Sequence, residues 1–161
     1  MFITYNMFIG IDTSQYINDN LIFSDKNPNN IMDNGYFYRI YYSDTFYKST
    51  GLILYLEFTN VVIENYFNKI KCYINKDFNN TKIKELVNIE KSLMNTFIKN
   101  RDTHLSPSYI LSKQLNNDFI KIFSDKQQDV GRKKNIQLIL KISGLWTNQT
   151  QYGITFRFYI V

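Results

Sequence analysis

The sequence predicts a mainly β fold with one helix, and three observations carry that prediction. The first is alternation. From Ile136 to Ile142, and again from Ile154 to Ile160, apolar residues recur at every second position, the period of a strand that buries one face. The second is one stretch, Thr81 to Lys99, where Ile83, Leu86, Val87, Glu90, Met94, Phe97 and Ile98 recur at three- and four-residue spacing, as on an amphipathic helix. The third is size: 161 residues suit one domain able to bury a core.

The elements follow in order. Residues 1–35 read as an extension, with strands at Phe2 to Ile11 and Leu21 to Phe23 and a loop at Asp25 to Gly35, dense in turn formers. Residues 36–99 carry three strands and the helix. In Tyr36 to Tyr42, residues Tyr38, Ile40 and Tyr42 share one face and Phe37, Arg39 and Tyr41 the other. In Gly51 to Phe58, Leu52, Leu54 and Leu56 point inward and Tyr55 outward. Lys69 to Ile74 is the third strand, with Cys72 as a small buried hydrophobe, and Thr81 caps the helix that follows. Residues 100–134 form a polar insertion with a short strand near Phe119 to Phe123. Residues 135–161 form a terminal hairpin closed by Asn148 to Gly153. Ile136, Leu138, Leu140 and Ile142 lie on its core side with Ile154, Phe156, Phe158 and Ile160. Gln137, Lys141, Ser143, Thr155, Arg157 and Tyr159 lie on the other, with Ile139 as an apolar exception. Without the extension and insertion, the order is three strands, a helix, two strands. That order matches an OB-fold-like, five-stranded antiparallel barrel with its helix between strands three and four. A generic antiparallel sandwich would show the same alternation.

Composition narrows the function. Hydrophobic residues make up 44%, which argues against disorder, and no apolar run nears the ~20 residues of a membrane span. The start MFITYNMFIG reads as no signal peptide, and one cysteine fits a reducing, cytoplasmic setting without membrane partners. Alanine is absent while Asn, Ile, Lys, Tyr and Phe abound, as in an A/T-rich genome. Lys and Arg total 19 against 14 Asp and Glu, a net +5, which favours polyanionic partners. Thirteen Tyr, thirteen Phe and one Trp exceed what such a core holds comfortably. The excess reads either as a base-stacking surface or as codon bias.

Catalysis finds little support. His104 is the only histidine, so a nucleophilic constellation has one available base. No Cys/His pairs suggest zinc, no glycine-rich phosphate loop occurs, and Glu85 and Glu90 read as solvent-face or salt-bridge residues of the helix. No catalytic residue, metal or cofactor is expected. The candidate nucleic-acid contacts are rings and cations. Phe37, Tyr41, Tyr55, Trp146, Tyr152 and Tyr159 are the stacking candidates, with Tyr152 as the more exposed ring at the turn. Trp146 has a second reading as a core-edge anchor. Arg39, Lys141 and Arg157 can track phosphates, as can Arg132, Lys133 and Lys134, a basic cluster read on a loop. Each of these cations also reads as a solvated surface charge. Gly144 and Gly153 suit a bulge or bend.

The run Leu140-Lys141-Ile142-Ser143-Gly144-Leu145-Trp146, followed by Tyr152-Gly153-Ile154-Thr155-Phe156-Arg157, resembles a family signature. It is similar to the C-terminal pattern of single-stranded-DNA-binding proteins of large cytoplasmic DNA viruses and related A/T-rich cytoplasmic linear plasmids. That pattern is apolar-x-Gly-apolar-Trp, a polar turn, then aromatic-Gly-apolar-Thr-aromatic-Lys/Arg, and every position is filled here. The likeness is strong over the last quarter of the chain and looser over Tyr36 to Phe58 and the helix. It is absent from the N-terminal stretch and from Arg101 to Lys134. The resemblance implies an oligonucleotide-binding barrel that coats and protects single-stranded DNA during replication in the cytoplasm. RNA is an alternative ligand and replication proteins are further partners; oligomeric state stays open. Two other readings stand beside it: a non-catalytic interaction module of replication or virion assembly, and a double-stranded terminus-binding factor.

Overall fold

In the computed structural model, residues 3–5, 8–99, 101, 104–124 and 128–161 are described. Their strands are β1 (Ile3–Tyr5), β2 (Phe8–Asp12), β3 (Leu21–Phe23), β4 (Asn27–Asn29), β5 (Gly35–Ser43), β6 (Lys48–Thr50), β7 (Leu52–Tyr66), β8 (Lys69–Ile74), β9 (Ser106–Ser108), β10 (Phe119–Phe123), β11 (Gly131–Thr147) and β12 (Gln151–Ile160). Helix α1 (Lys76–Lys99) follows β8, and α2 (Ile110–Asn116) precedes β10. The fold is mainly β, as alternation requires. Among the described residues it has two α-helices where the sequence predicts one.

Five strands pair in a closed circuit. Long β7 lies antiparallel to β11 from Leu52 opposite Ile142 to Ile63 opposite Gly131. Beyond Asn60 it also pairs with β8, which pairs with β10. β10 runs parallel to β12 at Ile122–Phe158 and Phe123–Tyr159, and β12 returns antiparallel to β11. The sheet is therefore mixed, not wholly antiparallel. Strand β10, read in the sequence as a minor strand of an insertion, is a member of this circuit. Strand β5, read as the first strand, lies outside it and pairs with the end of β11 (Gly144–Arg39 to Thr147–Tyr36), carrying β3, β4 and β6. At the other side β2 runs parallel to β7 through Ile11 and Asp12, with β1 as its hairpin partner. The expected strand from Phe2 to Ile11 lies partly outside the described residues.

Alternation decides what each strand buries. Leu52, Leu54, Leu56 and Phe58 of β7 face Leu138, Leu140 and Ile142 of β11 and Ile154 and Phe158 of β12 across one core. At Ser143 the β11–β12 register shifts by one residue, so the buried positions change from even to odd and Leu145 and Thr147 point inward. A side chain on Gly144 would collide with the Tyr38 carbonyl and the Phe37 ring. Glycine is there because two strands pass too closely for a Cβ.

Helix α1 buries Ile83, Leu86, Ile89, Leu93, Met94 and Phe97 against this core, close to the predicted stripe. It sits between the second and third strands of the circuit, not between the third and fourth, and begins before Thr81. Asn75 accepts the Asp77 amide at 2.9 Å as its cap, while Thr81 is exposed one turn in. Near the helix start Asn79 is buried and grips both backbone groups of Thr59, at 2.8 and 2.7 Å. Glu90 is the larger surprise. Expected on the solvent face, it is fully buried and accepts the amides of Leu111 and Ser112, at 3.1 and 2.7 Å, capping α2 from another helix. Two leucines, Leu111 and Leu115, are all α2 adds to the core, too weak a period to read in seven residues. Glu85 does behave as a salt-bridge residue, 2.9 Å from Lys82.

Candidate functional site

The outward face of the circuit is built from the positions that alternation keeps out of the core. On β8, Ile70, Cys72 and Ile74 are buried, leaving Lys69, Lys71 and Tyr73 outside. On β10, Ile120 and Ile122 are buried, leaving Phe119, Lys121 and Phe123 outside. Strand register then lines up cations. Lys71 is directly opposite Lys121, and Lys141 directly opposite Arg157. Parallel pairing at Phe123–Tyr159 sets Lys121 level with Arg157, two residues back on each strand. Lys71, Lys121, Arg157 and Lys141 thus form a row over four adjacent strands, spanning roughly 15 Å at the usual strand spacing.

Three of the four cations rest on rings, and among the described residues none is in an ion pair. Lys71 lies 4.7 Å from the Tyr73 ring and 4.4 Å from Phe119. Arg157 lies 5.0 Å from Phe123, and Lys141 5.6 Å from Phe8. Such contacts hold a cation in place while leaving its N–H groups to a ligand. Rings flank the row on both sides: Tyr73 opposite Phe119, and Phe123 edge-on to Tyr159 at 5.9 Å. Over β8 and β10 the surface sinks into a groove of about 490 Å³ lined by Tyr66, Lys69, Lys71, Tyr73, Phe119 and Lys121, with Glu64 as its acid.

The face continues to the hairpin turn. Trp146 points outward, opposite Phe37 and across Gly153, whose Cβ position lies 2.8 Å from the indole. Arg39 is exposed beside Gly144, and Tyr41 is exposed farther along β5. Phe37, Arg39, Tyr41, Lys141, Trp146, Arg157 and Tyr159 therefore share the predicted outward face.

Other predicted contacts do not. Tyr152 is 3% exposed and points into the core, 6.0 Å from Phe97; burial raises its hydroxyl pKa, and neighbouring Tyr109 raises it further. It shares the even-numbered face of Ile154, Phe156 and Phe158, so alternation overrides its place beside the turn. Tyr55 is outward but covered. Phe8 and Gly10 of β2 lie over it, and its hydroxyl donates to the Phe8 carbonyl at 2.6 Å. With Ile53 and Ile139 it forms a small second core, which explains the apolar exception at Ile139.

The basic cluster is in strand β11, not on a loop. Arg132 is exposed and lies opposite Val62, in the row of Tyr73 and Phe119. Lys133 is 3.9 Å from Asp129, and Lys134 is exposed. The sequence reading missed Lys71, Tyr73, Phe119, Lys121 and Phe123. Their signal was present as alternation in KIKCYI and FIKIF, but only pairing makes neighbours of the two segments.

Burial pushes the Cys72 thiol up to about 12. Among the described residues no group of three His, Cys, Asp or Glu is arranged to hold a metal ion, and no helix is long and apolar enough to cross a membrane. No family model, curated protein or solved structure matches this chain.

Proposed function

We propose that this protein is a non-catalytic, sequence-tolerant single-stranded-DNA-binding protein that coats strands during replication in the cytoplasm. One observation carries the reading: the row Lys71, Lys121, Arg157 and Lys141 on four adjacent strands, with rings along both sides. Cations spaced along a face hold successive phosphates, and rings beside them accept bases of any identity because every base has a π-face. We read the five-strand circuit as an OB-fold-like barrel whose helices have moved to the connection between its second and third strands. In such barrels the second and third strands and the loops after strands one and four carry the ligand. Here those are β8, β10, the Phe67–Asn68 turn and the Asn148–Thr150 turn. The resemblance of the terminal hairpin to viral and plasmid single-strand binders points the same way.

A second reading, an interaction module docking replication proteins, draws on rings at loop tips: Phe46 and Phe67 are nearly fully exposed. Trp146 is the only tryptophan and lies on the proposed face, so its fluorescence separates the two. Oligo-dT should quench it and a duplex should not. Four phosphate contacts at ~0.7 each predict a log–log salt slope near −3. Replacing both Lys71 and Lys121 by Ala should weaken binding and bring that slope to about −1.5. Affinity for oligo-dT that ignores salt would end this proposal.

A further inference from the structure

Beyond the outward face, a separate cleft of about 510 Å³ opens where the C-terminal end of α1 meets β5 and the β11–β12 turn. Its lining includes Asn34, Tyr36, Tyr38, Arg101, His104 and Gln149, with no carboxylate among the described residues. The Arg101 guanidinium lies 4.1 Å from the Phe97 ring and 5.2 Å from Tyr38, and Nη1 donates to the Phe97 carbonyl at 2.5 Å. That bond caps α1 but uses one of five donors, and Arg101 is in no ion pair among the described residues. A second cation, Lys26, lies 4.8 Å over the ring of Tyr36. A stacked guanidinium, neutral amides and the exposed phenol ring of Tyr36 together suit a phosphate joined to a planar base.

We infer that this cleft binds a nucleotide phosphate, the terminal phosphate of the bound strand, with Arg101 as its anion partner and Tyr36 beside its base. The inference rests on the proposed single-strand reading and adds an end-recognition site to it. Trp146 and Thr147 are consecutive residues on opposite faces of β11, so a strand passing Trp146 reaches the cleft by rounding Asn148 and Gln149.

The experiment compares dT oligomers carrying a 5′-phosphate, a 3′-phosphate or neither, each with an internal label for anisotropy, and adds dTMP in parallel. Wild type should prefer one phosphorylated end by about fivefold to tenfold, in the range of a charge-assisted contact. Arg101→Gln should abolish the preference. Because that change also removes a cap, Gln149→Glu is the second variant: Gln149 is exposed, and a carboxylate there repels phosphate without touching the core. If phosphorylation makes no difference but both variants weaken every oligomer and lower the salt slope, the cleft holds an internal phosphodiester and end recognition is overturned. If neither variant, melting as wild type, changes binding of any oligomer, the inference is overturned. If no oligomer binds wild type, the single-strand reading fails by itself. Binding of dTMP that is lost in Gln149→Glu would then keep the cleft as a nucleotide site, and no binding of dTMP would overturn it too.

Discussion

Trp146 and Tyr152 flank one turn and look interchangeable as stacking rings, yet they face opposite ways. The register shift at Ser143 turns Trp146 outward, while Tyr152 keeps the inward phase of β12. Tyr152→Ala should therefore cost about 3–5 kcal/mol of folding stability, as for other buried aromatics, and lower the melting temperature by several degrees per kcal/mol lost. Trp146→Ala should leave the melt much closer to wild type and cost about 1–3 kcal/mol of oligo-dT affinity. Thermal melts and titrations of the two variants check both halves. A Tyr152→Ala protein that melts like wild type would refute the inward placement.

Between elements, the decisive contact is Glu90. A seven-residue helix such as α2 is too short to be stable alone, and its Leu111 and Ser112 amides are satisfied by this carboxyl group from α1. Burial raises the Glu90 pKa, and the hydrogen bonds from Ser112 and Leu111 offset this only in part. The folded protein thus holds that proton to higher pH than the unfolded chain does. Its stabilising effect is complete below the ordinary carboxyl value of 4.5 and is lost as pH rises through the raised folded value. Glu85 runs the other way: despite desolvation, bonds from Thr13 and Lys82 lower its pKa, so its contribution fades as pH falls. Comparing wild type with Glu90→Gln cancels that background. Denaturant melts from pH 4 to 8 should show wild type losing stability relative to Glu90→Gln as pH rises. A constant difference across that range would mean Glu90 does not titrate there.

At the scale of the molecule, closure of the circuit is what holds the outward face in register. Cys72 is a convenient probe of it, because it sits on β8 between Ile63 of β7 and Ile120 of β10. It is wholly buried, and burial pushes its thiol up to about 12. A thiol reagent should therefore label Cys72 only as the circuit opens, at a rate that follows global unfolding and rises with denaturant. Fast labelling of the native protein would show that β8 detaches on its own.

Much was legible before folding because periodicity is a local property. The two-residue period assigned the faces of β5, β7, β8 and most of the terminal hairpin, and the helical period found α1, so Phe37, Arg39 and Arg157 were placed on the outward side by sequence alone. Trp146, which the same period would turn inward, faces out only because of the register shift at Ser143. Sequence could not say which strands become neighbours. Bringing Lys121 between Lys71 and Arg157 requires pairing residues about 50 and 36 positions away, a choice made by total burial and chain-closure entropy and not by local preference. Nor could it say what covers an outward position. Tyr55 obeys alternation and is still hidden, because β2 folds across it. Glu90 follows the apolar stripe because α2 supplies the donors that make its burial affordable. Alternation in the sequence determined which face most strand residues take; tertiary pairing decided where that phase shifts, which outward residues meet in one row and which are covered, because contact between distant segments depends on the whole chain's packing.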